Sequence, residues 1–294
     1  MDNKFPGKDV SKSDLIEKFP LAHSAQNRDG KVGFMVGDFQ FDKSNLAVMA
    51  GPNMVESEEL IVETAISVKE SGAQFLRGGA FKPLSFPYRS KKYTETRLDG
   101  LNWLKTAKEE SGLLVITEVM EERFLDAVCE SADILQIGSR NMQNYPLITE
   151  AAKTQKPLMI KRGYGSSIRD WLGAAEYALI EKNFKVMLCE RGVVVPHTHR
   201  ETSRFLLDVQ AIPAAQEITD LPIISDPSHA TFWEPWVEPM AKASVSAGCD
   251  GIMIEVHPDP KNAAVDPLQP LSFKQFKDMM TKIKILAEFE GRSI

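Results

Sequence analysis

The chain has 294 residues, 43% of them apolar and 26% charged, which is the profile of a soluble globular protein. Its formal net charge of −6 argues against nucleic acid as the main partner, although local basic clusters can still hold small anions. No run of about 18 apolar residues exists, so no membrane span is expected.

The N-terminal stretch MDNKFPGKDVSKSDLIEK is charged and has no apolar core, so a secretory leader is not expected. KVGFMVGDFQFD then holds two short alternating runs around Gly37-Asp38, which predicts a β-hairpin capping the bottom of the main body. From there on, short apolar runs alternate with stretches of helical periodicity. The runs are LAVMAG (46–51), AQFLRG (73–78), LLVITE (113–118), DILQIG (133–138), PLMIKR (157–162), KVMLCE (185–190), PIISDP (222–227) and GIMIEV (251–256). SEELIVETAISVKESG follows the first, with Ser57 as a helix N-cap and Gly72 as its stop. DGLNWLKTAKEESG, WLGAAEYALIEKN, WVEPMAKASVSAG and FKQFKDMMTKIKILAEFE are the other clear helical stretches. Eight strand–helix repeats predict an α/β fold of the closed (β/α)₈ TIM-barrel type. An open doubly wound sheet would need fewer strands or a clear second domain. The expected organisation is an N-terminal extension with a hairpin (1–45) and a catalytic barrel (46–294). The three cysteines, Cys129, Cys189 and Cys249, are scattered without a CxxC pair, which reads as reduced thiols in a cytoplasmic protein.

In such a barrel the C-terminal ends of the strands form the active site. Every run here delivers something polar at that end. In order these are Asn53; Arg77 and Lys82; Glu118; Ser139-Arg140-Asn141; Lys161-Arg162; Glu190-Arg191; Asp226 and His229; and Glu255 with His257. One polar residue at one strand end is commonly just a solvated loop residue. Six cations converging on one rim (Arg77, Lys82, Arg140, Lys161, Arg162 and Arg191) of an acidic protein are harder to read that way. They predict a small polyanionic substrate, such as a phosphate ester with a carboxylate. His229, Glu255 and Asp266 suit a divalent ion of the Mn, Fe, Co or Zn kind, or simply cap and start turns. His197 and His199 (PHTH) read as loop residues, Arg77-Gly78-Gly79 lacks the rest of a phosphate-loop pattern, and the methionines read as core. Trp233 and Trp236 flank the loop after His229 and could wall the mouth.

As a set, AGPNMVES, LRGGAFKP, QIGSRNMQN, IKRGYG, LCERG, SDPSHA and IEVHPDP resemble the shorter, type I-beta-like 3-deoxy-D-arabino-heptulosonate 7-phosphate (DAHP) synthases. These share a superfamily with the 3-deoxy-octulosonate 8-phosphate synthases. The resemblance spans about residues 30 to 290. It implies a cytoplasmic homo-oligomer, dimer or tetramer, that condenses phosphoenolpyruvate with an aldose phosphate and water and releases inorganic phosphate. Erythrose 4-phosphate is the expected acceptor, and no organic cofactor is implied. Arg77, Lys82, Ser139, Arg140, Lys161 and Arg204 would bind phosphoenolpyruvate, with Lys82 also close to the aldehyde oxygen. Ser85 and Arg89 would lie on the acceptor side, and Glu118 would position water. His229 and Asp266 would sit at the reacting centre. Asn53, His229, Glu255 and Asp266 occupy the places of the family's metal ligands.

Three positions depart from the pattern. Asn53 stands where metal-dependent relatives carry a cysteine, and an amide oxygen is a much weaker ligand than a thiolate; metal-independent octulosonate synthases carry asparagine there. Leu84 replaces the arginine of KPRT or KPRS that grips the acceptor's phosphate, and Arg89, Ser90, Lys91 or Lys92 are the candidates to replace it. The loop after His229 reads HATFWEPW instead of SHSGGRR, so an arginine is missing. The donor half of the site is therefore expected intact and the acceptor half altered. The alternatives are an octulosonate-type synthase, a Schiff-base aldolase using Lys161, and a non-catalytic phosphoenolpyruvate-binding protein.

Overall fold

The computed structural model describes residues 17–23, 33–82, 95–196, 199–200 and 205–294. Leu84, Ser85, Arg89, His197 and Arg204 lie outside the described residues. A hairpin of β1 (Phe34–Val36) and β2 (Phe39–Phe41) turns through Gly37 and Asp38, as the alternating runs predict. Eight parallel strands come next: β3 (Ala47–Gly51), β4 (Phe75–Arg77), β5 (Leu114–Glu118), β6 (Ile134–Ile137), β7 (Leu158–Lys161), β8 (Val186–Glu190), β9 (Ile223–Ser225) and β10 (Gly251–Glu255). They pair in sequence order, and β10 closes on β3. Each of the eight apolar runs contains one strand.

The helices outside the barrel begin and end where the side chains dictate. Helix α1 (Glu58–Glu70) starts at Ser57, whose side chain accepts from the Leu60 amide, and stops before Gly72 at φ 103°. Helices α2 (Arg97–Ser111), α3 (Leu125–Ser131) and α4 (Tyr145–Lys153) come after β4, β5 and β6. Helix α5 (Ile168–Ile180) opens with a Ser167/Asp170 capping box and α9 (Phe273–Phe289) with a Ser272/Gln275 one. Between them run α6 (Ala211–Gln216), α7 (Pro227–Thr231) and α8 (Glu234–Ser246). No helix among the described residues is long and apolar enough to cross a membrane.

Alternation along the strands divides the core in two. Outward residues such as Val48, Leu76 and Ile160 pack under the helices. Inward residues, among them Met49, Phe75, Ile116, Met159, Met187 and Met253, fill the barrel. Most of the methionines read as core in the sequence are buried here, but Met35 of the hairpin is exposed. The hairpin plugs the barrel's lower end: Phe39 and Phe41 meet the Phe75 ring at 5.3 and 5.5 Å. An upstream segment is tied to the outside, where the Leu21 and Ala22 amides donate to the buried Glu176 carboxylate of α5 at 2.9 and 2.7 Å.

Candidate active site

The same two-residue alternation builds the mouth. On each strand, the residue two places beyond an inward apolar one points into the barrel near its top. Phe75 is followed by Arg77, Ile116 by Glu118, Ile134 by Gln136, Met159 by Lys161, Cys189 by Arg191, Ile224 by Asp226 and Met253 by Glu255. Arg77, Glu118, Gln136, Lys161 and Arg191 line one cavity of about 260 Å³ at this end. Lys82, Ser139, Arg140, Asn53, His229 and Asp266 line it from the loops. Glycine makes two of these approaches possible. A Cβ on Gly138 would stand 1.9 Å from Glu118 Oε1, and one on Gly79 would stand 2.6 Å from the Asn53 carbonyl oxygen.

Two strand-end expectations are corrected. Arg162 does not belong to the cationic rim. It follows Lys161 directly and so points the other way, where its Nη1 pairs with Glu190 at 2.9 Å and Asp208 at 2.8 Å. His257 also turns away: its Nδ1 accepts from the Asp259 amide at 3.0 Å, leaving Nε2 to face Glu56 at 3.2 Å. Several lining residues were not singled out as site residues, among them Gln136, Tyr164, Phe205, Phe232 and Val265. Gln136 donates to Glu118 Oε2 at 3.2 Å and so orients that carboxylate. Tyr164 and Phe205 stack 4.9 Å apart, and the Arg191 guanidinium lies over both rings at 4.9 and 4.3 Å.

Charge is concentrated in this space. Lys161 Nζ donates to Asp226 Oδ2 at 2.5 Å, and the same oxygen lies 2.9 Å from His229 Nδ1. Asp226 is fully buried. Burial alone would raise its pKa, but the pairing with His229 and the charge of Lys161 outweigh it and hold the carboxyl well below the usual range. Burial drives the His229 pKa well down despite Asp226, with Lys161 and Arg77 adding to the effect, so the imidazole is neutral. Nδ1–H then donates to the Asp226 carboxylate, and Nε2 turns its lone pair to Arg77 Nη2 at 3.2 Å. Burial, with the Arg77 charge, lowers Lys82 to about 8. Burial raises Glu255 to about 7, although Arg77 draws it down. Two buried guanidinium nitrogens, Arg77 Nη1 and Arg191 Nη1, have no hydrogen-bond partner among the described residues. Buried donors are rarely left so, and here both belong to residues facing one cavity.

A sequence profile of the DAHP synthetase I family matches residues 25–288. The chain belongs to the DAHP synthetase I family. It is similar to the phospho-2-dehydro-3-deoxyheptonate aldolase of Thermotoga maritima, at 39% identity over 256 residues, 87% of this chain and 74% of that protein. The crystal structure of that organism's aldolase (DAHP synthase) matches with a TM-score of 0.86 at 36% identity, over 93% of this chain and 78% of that one. A truncated form of the Thermotoga maritima synthase matches with a TM-score of 0.84 at 35% identity, over 94% of this chain and 99% of that one. A 2-dehydro-3-deoxyphosphooctonate aldolase of Desulfotalea psychrophila is 27% identical over 261 residues, 83% of this chain and 91% of that protein.

DAHP synthetase I enzymes generally use a divalent metal, so the four expected ligand positions are the test of fit. They lie together, but not as a ligand set. Asn53 Oδ1 accepts from Arg77 Nη2 at 2.9 Å and from Lys82 Nζ. Asn53 Nδ2 donates to Asp266 Oδ2 at 3.1 Å, which fixes the amide's orientation. His229 Nε2 stands 3.8 Å from Glu255 Oε2, and Gln269 Nε2 already donates to that oxygen at 2.5 Å. Among the described residues no three His, Cys, Asp or Glu side chains form a metal-holding group. An ion would have to displace two positive donors from a neutral amide oxygen, and no thiolate is near to repay that. The arrangement does not fit a divalent ion.

Proposed function

We propose that the barrel mouth condenses phosphoenolpyruvate with an aldose phosphate and water, giving a 3-deoxy-2-keto sugar acid phosphate and inorganic phosphate, without a metal. The carrying observation is the pair of buried guanidinium nitrogens without a hydrogen bond among the described residues, on Arg77 (3.7 Å from Glu255 Oε2) and Arg191, two residues that line one cavity together with Lys82 and Lys161. Phosphoenolpyruvate brings a phosphate and a carboxylate, and charge-assisted hydrogen bonds from these donors offset their desolvation. Ser139, Arg140 and Arg204 complete the donor clamp, and Ser85 and Arg89 belong to the acceptor's side.

The enol's C3 attacks the aldehyde carbon, and negative charge develops on the aldehyde oxygen. Lys82 serves that oxygen. Its lowered pKa makes it a ready proton donor near neutrality, and its ammonium is already held at Asn53, at the cavity wall. Positive charge develops at C2, where water adds. Glu118, oriented by Gln136 and packed on Gly138, positions that water. The resulting hemiketal loses phosphate by C–O cleavage. Asp266 and the neutral imidazole of His229 line the reacting centre, and Asp226 holds His229 and Lys161 in place. Lys161 is tied to a carboxylate at 2.5 Å, an ionic setting that suits a cation rather than a Schiff-base nucleophile.

Residues 46–294 carry this chemistry, and the 1–45 extension seals the barrel's lower end through its hairpin. Three unbridged cysteines support a reducing, cytoplasmic setting. The exposed Ile285 and Phe289 on α9 support a homo-oligomer. The test of function is an assay of phosphate release with phosphoenolpyruvate and a panel of aldoses. Release with erythrose 4-phosphate is expected. Turnover of arabinose 5-phosphate alone would make the chain an octulosonate-type synthase, and binding without any turnover would make it a non-catalytic binding protein.

A further inference from the structure

Five non-glycine residues among those described have a positive φ: Arg97, Gln155, Lys182, Phe232 and Asp266. Gln155 and Lys182 lie just beyond the ends of α4 and α5, where left-handed backbone commonly terminates a helix. Arg97 opens α2. Phe232 and Asp266 differ, because both line the cavity. Phe232 sits at φ 54°, ψ 22° as the C-cap of α7. Glycine or asparagine fills such a position at little cost, whereas a bulky aromatic is strained there. Strain of this kind persists where the surroundings hold it in place, and it clusters at functional sites. The SHSGGRR pattern, aligned on His229, places a glycine where Phe232 stands.

The surroundings do hold it. The Phe232 amide donates to the Ser228 carbonyl at 3.2 Å. The next residue, Trp233, lies under the Arg200 guanidinium at 3.5 Å. Phe232 lines the cavity together with Val265 and Asp266, all three on the loops after β9 and β10, whereas Arg140, Lys161 and Arg191 line it from the ends of β6 to β8. An anionic enol phosphate goes to the cations, so the second reactant meets Phe232 and Val265. An apolar wall offers a phosphate nothing, and offers carbon–hydrogen surface a close contact.

We propose that Phe232 is a specificity-determining residue for the aldehyde. Its ring ends the acceptor half of the cavity and selects a four-carbon over a five-carbon aldose phosphate. This rests on the condensation reading above. The backbone strain is retained because it carries the ring to that wall.

The experiment compares the wild-type chain with Phe232→Gly and Phe232→Leu. For each, kcat/KM is measured with erythrose 4-phosphate and with arabinose 5-phosphate, alongside KM for phosphoenolpyruvate and the thermal midpoint. The wild type should prefer the four-carbon acceptor. Phe232→Gly should shift the ratio toward the five-carbon acceptor by about tenfold or more, the usual worth of one carbon unit in a closed site. Phe232→Leu should shift it less. KM for phosphoenolpyruvate should not move, and the glycine variant should be at least as stable as the wild type. A purely structural cap predicts higher stability with an unchanged ratio. That result overturns the proposal, as does a wild-type preference for five carbons or a shift carried by KM for phosphoenolpyruvate. No turnover of either aldose by the wild type would instead overturn the condensation reading, and the proposal with it.

Discussion

One side of the cavity, at the ends of β6 to β8, is lined by Arg140, Lys161 and Arg191; a second, on the loops after β9 and β10, is lined by Phe232, Val265 and Asp266. The first side is built largely by strands. Lys161 and Arg191 point inward because each lies two residues beyond an inward core residue, and each is buried. The second side is built by loops, with two of its residues in left-handed backbone. Strand-borne groups are held by the barrel's hydrogen bonds and core, whereas loop residues can be exchanged with little cost to the fold. On the proposed function, the shared donor is read by the rigid side and the variable acceptor by the loops.

The largest effect expected from breaking this contrast is at Arg191. Arg191→Ala removes a buried guanidinium stacked on Tyr164 and Phe205 and should lower kcat/KM for phosphoenolpyruvate by about 10²-fold or more. The preference among acceptors should stay as it was, and steady-state kinetics with two aldoses checks both. Asp226→Asn should come next. It keeps the shape but leaves the buried Lys161 ammonium uncompensated, so kcat/KM for phosphoenolpyruvate should fall by about 10-fold or more. KM for the aldose should hold, and an unchanged circular dichroism spectrum would separate this effect from misfolding. Dialysis against a chelator should cost no activity. Activity lost and then restored by Mn²⁺ or Zn²⁺ would show that the Asn53 cluster rearranges around an ion. Phe41→Ala should have the smallest effect on the cavity. It should lower stability by about 3–5 kcal/mol through loss of the plug under Phe75, seen in denaturant unfolding, with kcat/KM unchanged.

Much of this contrast is legible in the sequence. Apolar runs of five or six residues bounded by turn residues mark all eight barrel strands, and Gly37-Asp38 marks the hairpin. The polar residues at run ends mark the mouth, but end position alone overstates it. Alternation decides the matter: it admits Gln136 and Arg191 and excludes Arg162. The metal expectation rested on residue types at matching places. The structure adds that Lys82 and Arg77 both address Asn53 Oδ1, a contact between the tops of neighbouring strands that spacing cannot reveal. Phe232 was passed over because no sequence pattern shows that a phenylalanine adopts left-handed backbone. Ser85, Arg89 and Arg204 were read from motifs alone.

The most direct measurement is a crystal structure with phosphoenolpyruvate bound. The account predicts density in the barrel mouth with anionic oxygens within hydrogen-bond distance of Arg77 Nη1 and Arg191 Nη1, and Phe232 facing the open acceptor space. Phosphoenolpyruvate lying against Phe232 and Val265, with those two nitrogens still unpartnered, would contradict it.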